Sequence, residues 1–306
     1  MDLLYDRLAT LQVYNTQVNN ITVSDGTTAK SLVDIGATGK VFASKQSDGS
    51  PGFRIKFHVN KIIEVTPNPT SLYIYNLGPE SRSLFEKTNN QIILNAGYGT
   101  NVKTIFKGMV SRCRTHKEGP DYVTHIEAAD GLFAVQNSRI DQSFNAGART
   151  NSVVNSLVDA LTATGQIGKG EINISAADGY NQGVVLSGNA IDHLKIICEG
   201  KNLAFFVEDQ KIYVIPFGSQ RNAPIYNVSE ESGLVGIPEV GDGKLSFRML
   251  MTPDIGVFQK IVIKSKFVNG IFTTVRVVHT GDSWGQEWYT DVECIYPNKT
   301  ADDQVA

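Results

Sequence analysis

Residues 277–295 read VVHTGDSWGQEWYTDVECI, and whether this stretch is a ligand cluster or a hairpin decides how the chain is understood. It gathers His279, Asp282, Glu287 and both tryptophans of the chain, Trp284 and Trp288. Val275, Val277 and His279 alternate onto one face of an incoming strand. Trp288, Thr290, Val292 and Cys294 do the same on an outgoing one, because successive side chains of a strand point to opposite sides. Between them, Gly281-Asp282-Ser283-Trp284-Gly285 is turn chemistry, since glycine tolerates unusual backbone angles and Asp or Ser bonds the local backbone. His279 and Asp282 therefore bracket a bend. A metal site needs converging ligands, and the sequence has no H-E-x-x-H and no second histidine nearby. A histidine at a strand end bonding the turn accounts for His279 without a metal. Asp282 and Glu287 have the composition of a paired-carboxylate acid/base site, but on a solvent-facing hairpin they read as solvated charges.

Upstream, the same period of two recurs. Phe53, Ile55, Phe57 and Val59 alternate with Arg54, Lys56 and His58 in FRIKFHV (53–59), the pattern of a half-buried strand. Further strands are expected at 71–77, 91–99, 103–116 and 121–130, with KEGP (117–120) as a turn and Gly78-Pro79-Glu80 opening a short helix with proline in its first position. Residues 1–52 are polar and glycine-dotted and end in the loop-like KQSDGSPG. The middle changes period. Val153, Val154, Leu157, Val158 and Leu161 share one face of a helix over 150–165, with polar residues capping its start and Gly165 ending it. Ile191, Leu194, Ile197 and Cys198 do so over 186–200, with Ser187 as the expected cap and Gly200 as the stop. A hairpin follows (202–207 and 211–217), then four more strands at 244–251, 259–267, 272–280 and 287–296. The tail KTADDQVA lacks apolar periodicity and reads as mobile.

Composition excludes several classes. The chain has 306 residues, 41% of them hydrophobic, enough for a sizeable core and two or three domains. Its formal net charge is −3 and it has no long basic block, so nothing marks a duplex-binding surface. No signal peptide and no run of membrane-spanning length occurs, which predicts synthesis and retention in the cytosol. Cys113, Cys198 and Cys294 are odd in number and far apart, suggesting small core residues rather than a disulfide framework or zinc site. Asn-x-Ser/Thr patterns at Asn20, Asn173, Asn227 and Asn298 carry little weight without a secretion signal. A G-x-S-x-G elbow, a Walker loop and a G-x-G-x-x-G after a strand are all missing, and Gly168-Lys169-Gly170 is too short to cradle a phosphate. No catalytic residue, cofactor or metal is indicated.

The hairpin has a counterpart upstream. Tyr122-Val123-Thr124-His125-Ile126-Glu127-Ala128 matches Trp288-Tyr289-Thr290-Asp291-Val292-Glu293-Cys294 in its order of aromatic, Thr, β-branched, Glu and small residues. Each follows a longer strand and a charged, glycine-containing turn, so Glu118-Gly119 and Asp282-Ser283 are expected to correspond. Period-two patterning alone makes strands look alike, but the shared strand-turn-strand order raises the match above that. The fold class is therefore mainly β with an α+β insertion. Two related β domains flank a small α/β unit, with a segment of uncertain role at 1–52, a first β domain at 53–145, a helical α/β unit at 146–222 and a second β domain at 223–306.

SLYIYNLGPESRSLF, ILNAGYG, IFKGMVSRCRTHKEGPDYVTHIEAADG, GLVGIPEVGDGKLSFRMLMTPDIGVFQKIVIKS and VVHTGDSWGQEWYTDVECI, in that order, resemble the baseplate hub proteins of contractile-tailed bacteriophages. The resemblance covers about residues 53–296 and leaves out 1–52. It implies tube-like antiparallel β-barrels and a homotrimeric ring at the tail axis in the virion baseplate, assembled in the host cytoplasm. The implied partners are the tail tube proteins, the trimeric spike, the tape measure protein and other baseplate proteins, with DNA only in passage. Two similar β domains in each of three chains present six similar units around one axis, which reconciles a six-fold tube with a three-fold spike. Glu118, Gly119, Asp282, Ser283, Trp284 and Gly285 are the candidate interface and turn residues. The hub of a related contractile injection machine is a variant of this reading. A peptidoglycan hydrolase using Glu127, Asp130, Asp282 or Glu287 is the competing class.

Overall fold

Period-two alternation carries through into the computed structural model, which describes residues 6–14, 40–46, 48–63, 68–86, 90–175, 178–241 and 243–296. The chain divides into two compact units, both discontinuous in sequence. The first comprises Met1–Val59, Pro69–Ala129 and His279–Trp288; the second comprises Asn60–Asn68, Asp130–Val278 and Tyr289–Ala306. The expected mobile tail, 297–306, lies outside the described residues.

The first unit is built on β1 (Arg7–Tyr14), β2 (Lys40–Ala43), β3 (Ile55–Ile62) as far as Val59, β4 (Pro69–Tyr75), helix α1 (Pro79–Glu86), β5 (Gln91–Tyr98), β6 (Asn101–Glu118) and β7 (Asp121–Ala129). They form an antiparallel run in the order β3-β4-β7-β6-β5-β1-β2. Ile55, Phe57 and Val59 of β3 are buried together with Leu72 and Ile74 of β4 and Ile126 of β7, as the alternation requires. Each such side chain contributes about 1.5–3 kcal/mol when taken from water. β1 and β2 add two strands to residues 1–52, a segment whose role the sequence leaves uncertain. Ala9, Leu11 and Val13 alternate with Thr10 and Gln12 and are almost completely buried, and β1 pairs with β5 along its whole length. The turn expected over 117–120 is shorter than that, because the strands run on to Glu118 and restart at Asp121, leaving only Gly119-Pro120.

The second unit contains α2 (Leu132–Asn137), β8 (Arg139–Phe144), α3 (Thr150–Thr162), β9 (Gly168–Ile172), β10 (Val184–Asn189), α4 (Ala190–Gly200), β11 (Leu203–Glu208) and β12 (Lys211–Pro216). After these come β13 (Tyr226–Val228), β14 (Leu234–Gly241), β15 (Lys244–Leu250), β16 (Lys260–Lys264), β17 (Asn269–Asp282) and β18 (Trp288–Ile295). Val153, Val154, Leu157, Val158 and Leu161 of α3 are completely buried, the stripe their spacing predicts. They pack with Leu194, Ile197 and Cys198 of α4 and with Phe205 and Val207 of β11. The intervening residues Ala204 and Phe206 belong to a second core with Phe247, Phe258 and Val277. β11 is thus buried on both faces, which is why LAFFV is continuously apolar rather than alternating.

Three local expectations change. Residues 186–189 are the end of β10, and α4 is capped not by Ser187 but by Asn189, whose side chain accepts from Ile191 N–H at 3.2 Å. The N-cap position of α3 is Arg149, which makes no side-chain cap. Cys198 and Cys294 are buried, but Cys113 on β6 is only partly so. Most pairings are antiparallel; β9 with β12 and β13 with β16 are parallel.

Candidate functional site

The stretch 279–288 is the tip of the β17–β18 hairpin and belongs to the first unit. Asp282 N–H donates to the Glu287 carbonyl at 2.8 Å and Gly285 N–H to the Asp282 carbonyl at 3.1 Å, closing the turn. Ser283 ties it to β3 twice, its N–H donating to the Ile55 carbonyl at 3.0 Å and its hydroxyl accepting from Ile55 N–H at 2.9 Å. Asp282 does not carry the solvated charge expected of it. It is only 4% exposed and takes both arms of the Arg54 guanidinium, at 3.1 and 2.6 Å, with Trp284 N–H at 3.1 Å and Lys56 Nζ at 3.9 Å. Burial alone would raise its carboxyl. The hydrogen bonds from Arg54 and the Trp284 backbone, with the charges of Arg54 and Lys56, instead hold it below the usual carboxylate range.

This clasp fixes the turn so that Trp284 stands out, 62% exposed, while Trp288 is completely buried edge-on against Phe57 at 5.3 Å. Gly281 passes so close to the Phe57 and Trp288 rings that a Cβ there would collide with both. Arg7 donates to the Gly285 carbonyl at 2.8 Å. A pocket of about 350 Å³ opens beside Trp284, with Arg54, Tyr75, Asn76 and Asp121 in its wall, and a second of about 660 Å³ opens beside Arg7, Lys45 and Ser283. Asn76 holds the start of β7, donating to Asp121 at 2.8 Å and accepting from Tyr122 N–H at 3.0 Å.

The structure thus brings Asp282, Ser283, Trp284 and Gly285 together as one rigid turn. Glu118 and Gly119 sit at a different kind of bend. Gly119, at φ 58°, and Pro120 make a two-residue connection, against the longer loop closed between Asp282 and Glu287, so the two turns do not correspond in type. His279 lies inside β17 rather than at its end, and is fully buried. Among the carboxylates proposed for hydrolysis, Asp282 is held ionised by its partners, Glu127 faces Arg112 at 3.8 Å, and Asp130 belongs to the second unit. A general acid calls for the opposite of the Asp282 environment.

A buried charge cluster in the second unit escaped sequence reading. Lys61 Nζ lies 3.3 Å from Glu208 and 3.0 Å from Asp209, and Arg221 pairs with Glu208. Burial would strip the proton from Lys61, but the Asp209 and Glu208 charges outweigh it and raise its pKa. Asp130, 3% exposed, accepts from Gln210 N–H at 2.7 Å, and burial followed by the Asp209 charge pushes its carboxyl well up. Glu208-Asp209-Gln210 is read in sequence simply as the loop of a hairpin, and nothing local marks the distant Lys61 as its partner.

Comparison with known proteins places this architecture. No curated protein sequence matches the chain. The fold matches a tail protein from Neisseria meningitidis MC58, with a TM-score of 0.60 at 9% identity over 98% of this chain and 99% of that one. It also matches the 43 kDa tail protein of prophage MuSo2 from Shewanella oneidensis, with a TM-score of 0.59 at 8% identity over 81% of this chain and 94% of that one. A third match is the E. coli c3393 protein, described as a component of the type VI secretion system with structural similarity to the T4 bacteriophage tail proteins gp27 and gp5. Its TM-score is 0.56 at 10% identity, over 80% of this chain and 74% of that one. The family described as baseplate hub gp41 matches residues 51–294, nearly the whole span of the sequence resemblance. The chain belongs to the baseplate hub gp41 family, a structural component of the phage tail baseplate.

Proposed function

We propose that three copies of this chain form a ring on the tail axis that adapts a six-fold tail tube to a three-fold spike. The ring encloses the passage for the tape measure protein and then DNA. The observation that carries this reading is the family match, which runs through both β-rich portions of the chain rather than one of them. Two β domains, at 53–145 and 223–306, would give the trimer six similar units, and duplication then reconciles the two symmetries. Barrels joined side by side would also cover sheet edges that otherwise invite uncontrolled pairing. The turns at Glu118-Gly119 and Asp282-Ser283-Trp284-Gly285 are proposed as contacts with neighbours. Trp284 is suited to this role, because a rigidly held, exposed tryptophan is a typical anchor of an interface.

Light scattering of the purified chain, alone and with the spike protein, tests the reading. A trimer in either condition is expected, and a stable dimer in both would overturn it. Similarity to a type VI secretion component favours a second, related reading, the hub of a contractile injection machine. Isolation of the particle that contains the chain separates the two. Zymography on peptidoglycan addresses the hydrolase alternative: clearing that disappears when Glu127, Asp130, Asp282 or Glu287 is substituted would replace the structural role with a catalytic one.

A further inference from the structure

The charge cluster of the second unit holds an amine against a carboxyl. Lys61 Nζ lies 3.0 Å from Asp209 Oδ2 and 3.3 Å from Glu208 Oε1, and Lys61 and Glu208 are only 5% and 4% exposed. Asp209 and Gln210 make the two-residue turn between β11 and β12, with φ of 51° and 59°. Left-handed angles at residues other than glycine persist where the surroundings hold them, and here Asp130 accepts from Gln210 N–H at 2.7 Å. The turn thus fixes where the Asp209 side chain points. Its Oδ2 meets Lys61, whereas its Oδ1 is buried with no hydrogen-bond partner among the described residues. An ionised oxygen in that state is costly, and an acid or amide oxygen much less so. The two neighbouring acids are also driven apart. Burial, with the Glu208 charge, raises the Asp209 carboxyl despite Lys61. Burial would raise Glu208 as well, but the charges of Lys61 and Arg221 hold it below the usual carboxylate range. Such a split assigns roles: Asp209 is the acid that takes up a proton, and Glu208 stays ionised and can carry one.

We propose that Lys61 and Asp209 condense into an amide, a covalent staple within the second unit. One proton crosses from the Lys61 ammonium to Asp209 Oδ2, leaving an amine and a carboxylic acid. The Nζ lone pair adds to Asp209 Cγ, and Glu208 takes a second proton from Nζ and returns it to the departing hydroxyl. The Nζ–Cγ bond forms, the Cγ–Oδ2 bond breaks, one water leaves, and Oδ1 remains as the amide oxygen. Nothing is oxidised or reduced. Lys61 rests as an ammonium, so the step draws on the small fraction of chains in which the pair is neutral. It happens once per chain and needs no turnover, and holding the two groups in contact replaces a bimolecular encounter. Condensation removes two charges and with them the desolvation penalty of the pair, and it leaves Arg221 against Glu208. The Asp209 side chain is 33% exposed, which gives the water a way out. The bond ties the segment 60–68 to the β11–β12 turn across 148 positions, and such a link restricts the unfolded chain as a disulfide does. The staple is independent of the hub reading.

Intact mass spectrometry of the purified full chain, unfolded in denaturant, is the test. The wild type is expected to be one water lighter than its sequence. Trypsin is expected to release a branched peptide that joins residues 57–82, uncut at Lys61, to residues 202–211. Lys61→Arg keeps the cation without the amine and Asp209→Ala removes the carboxyl, so both are expected at full sequence mass with no branch. Followed from synthesis onward, Glu208→Gln is expected to form the branch about a hundredfold more slowly, the scale of one general acid–base group. Melting curves identify any variant that has lost its fold, and the wild-type mass decides the matter without them. A folded wild type that keeps its full sequence mass after prolonged incubation overturns the proposal and leaves Lys61 and Asp209 as an ion pair. So does a water loss that persists in Asp209→Ala, or one that hydroxylamine removes, the mark of a cyclic imide at an Asp-Gly step such as Asp48-Gly49. An unchanged rate in Glu208→Gln overturns the proton route through Glu208. Each of these results leaves the hub reading standing.

Discussion

Asp282→Asn isolates the clasp that shapes the hairpin tip. The wild-type carboxylate makes two charge-assisted hydrogen bonds with Arg54 and one with Trp284 N–H. A single neutral hydrogen bond contributes about 1 kcal/mol net, and bonds to charged groups about 1.5–3. Arg54 has a side chain 32% exposed and can recover water when its partner is lost, and the Asn oxygen can still cap Trp284 N–H, so the loss is about 2 kcal/mol. Asp282→Ala also strips the cap and loses about 3 kcal/mol. The folded pKa is depressed, so the contribution is complete above the unfolded carboxyl value near ~3.9 and disappears as pH falls through the lower folded value. Substitution by Asn should remove that acid-side dependence. Urea unfolding followed by tryptophan emission is the assay, since Trp284 and Trp288 are the only tryptophans and both belong to the first unit. A Asp282→Asn protein whose midpoint at neutral pH matches the wild type, and which loses stability on acidification as the wild type does, would refute the reasoning.

Lys61→Met should destabilise the second unit by about 1–3 kcal/mol in thermal or urea unfolding, because it leaves partly exposed Asp209 without its cation and buried Glu208 with Arg221 alone. Asp130→Asn should be neutral or stabilising at neutral pH: its raised folded pKa makes the wild type lose stability as pH rises from the unfolded carboxyl value toward the folded one, and a pH series of melts should show that loss abolished. Gly281→Ala should cost about 1–3 kcal/mol, the usual range for overpacking, and shift tryptophan emission as the Phe57 and Trp288 rings are forced apart. Thiol labelling of the folded chain should reach Cys113 first, and buried Cys198 and Cys294 only on unfolding. Burial, with Glu86 nearby, pushes the Cys113 thiol up to about 11, whereas deeper burial, with Glu199 nearby, pushes Cys198 up to about 12.

Several features were determined by the sequence alone because they are local. The period of two in FRIKFHV, the apolar stripe over Val153–Leu161, the proline that opens α1 and the strand-turn-strand order of 277–295 each rest on side-chain directions repeated over a few residues. β1 belongs with them in principle, since Ala9, Leu11 and Val13 alternate, but a single short alternation in a polar stretch gains meaning only from the full-length pairing with β5. The rest was decided by tertiary structure. Arg54 and Asp282 are 228 positions apart, as Lys61 and Glu208 are 147, and no periodicity links residues at such distances. Asp282 looked like a solvated turn residue because turn chemistry is readable from composition, whereas its burial against a guanidinium depends on which strand lies beside the hairpin tip.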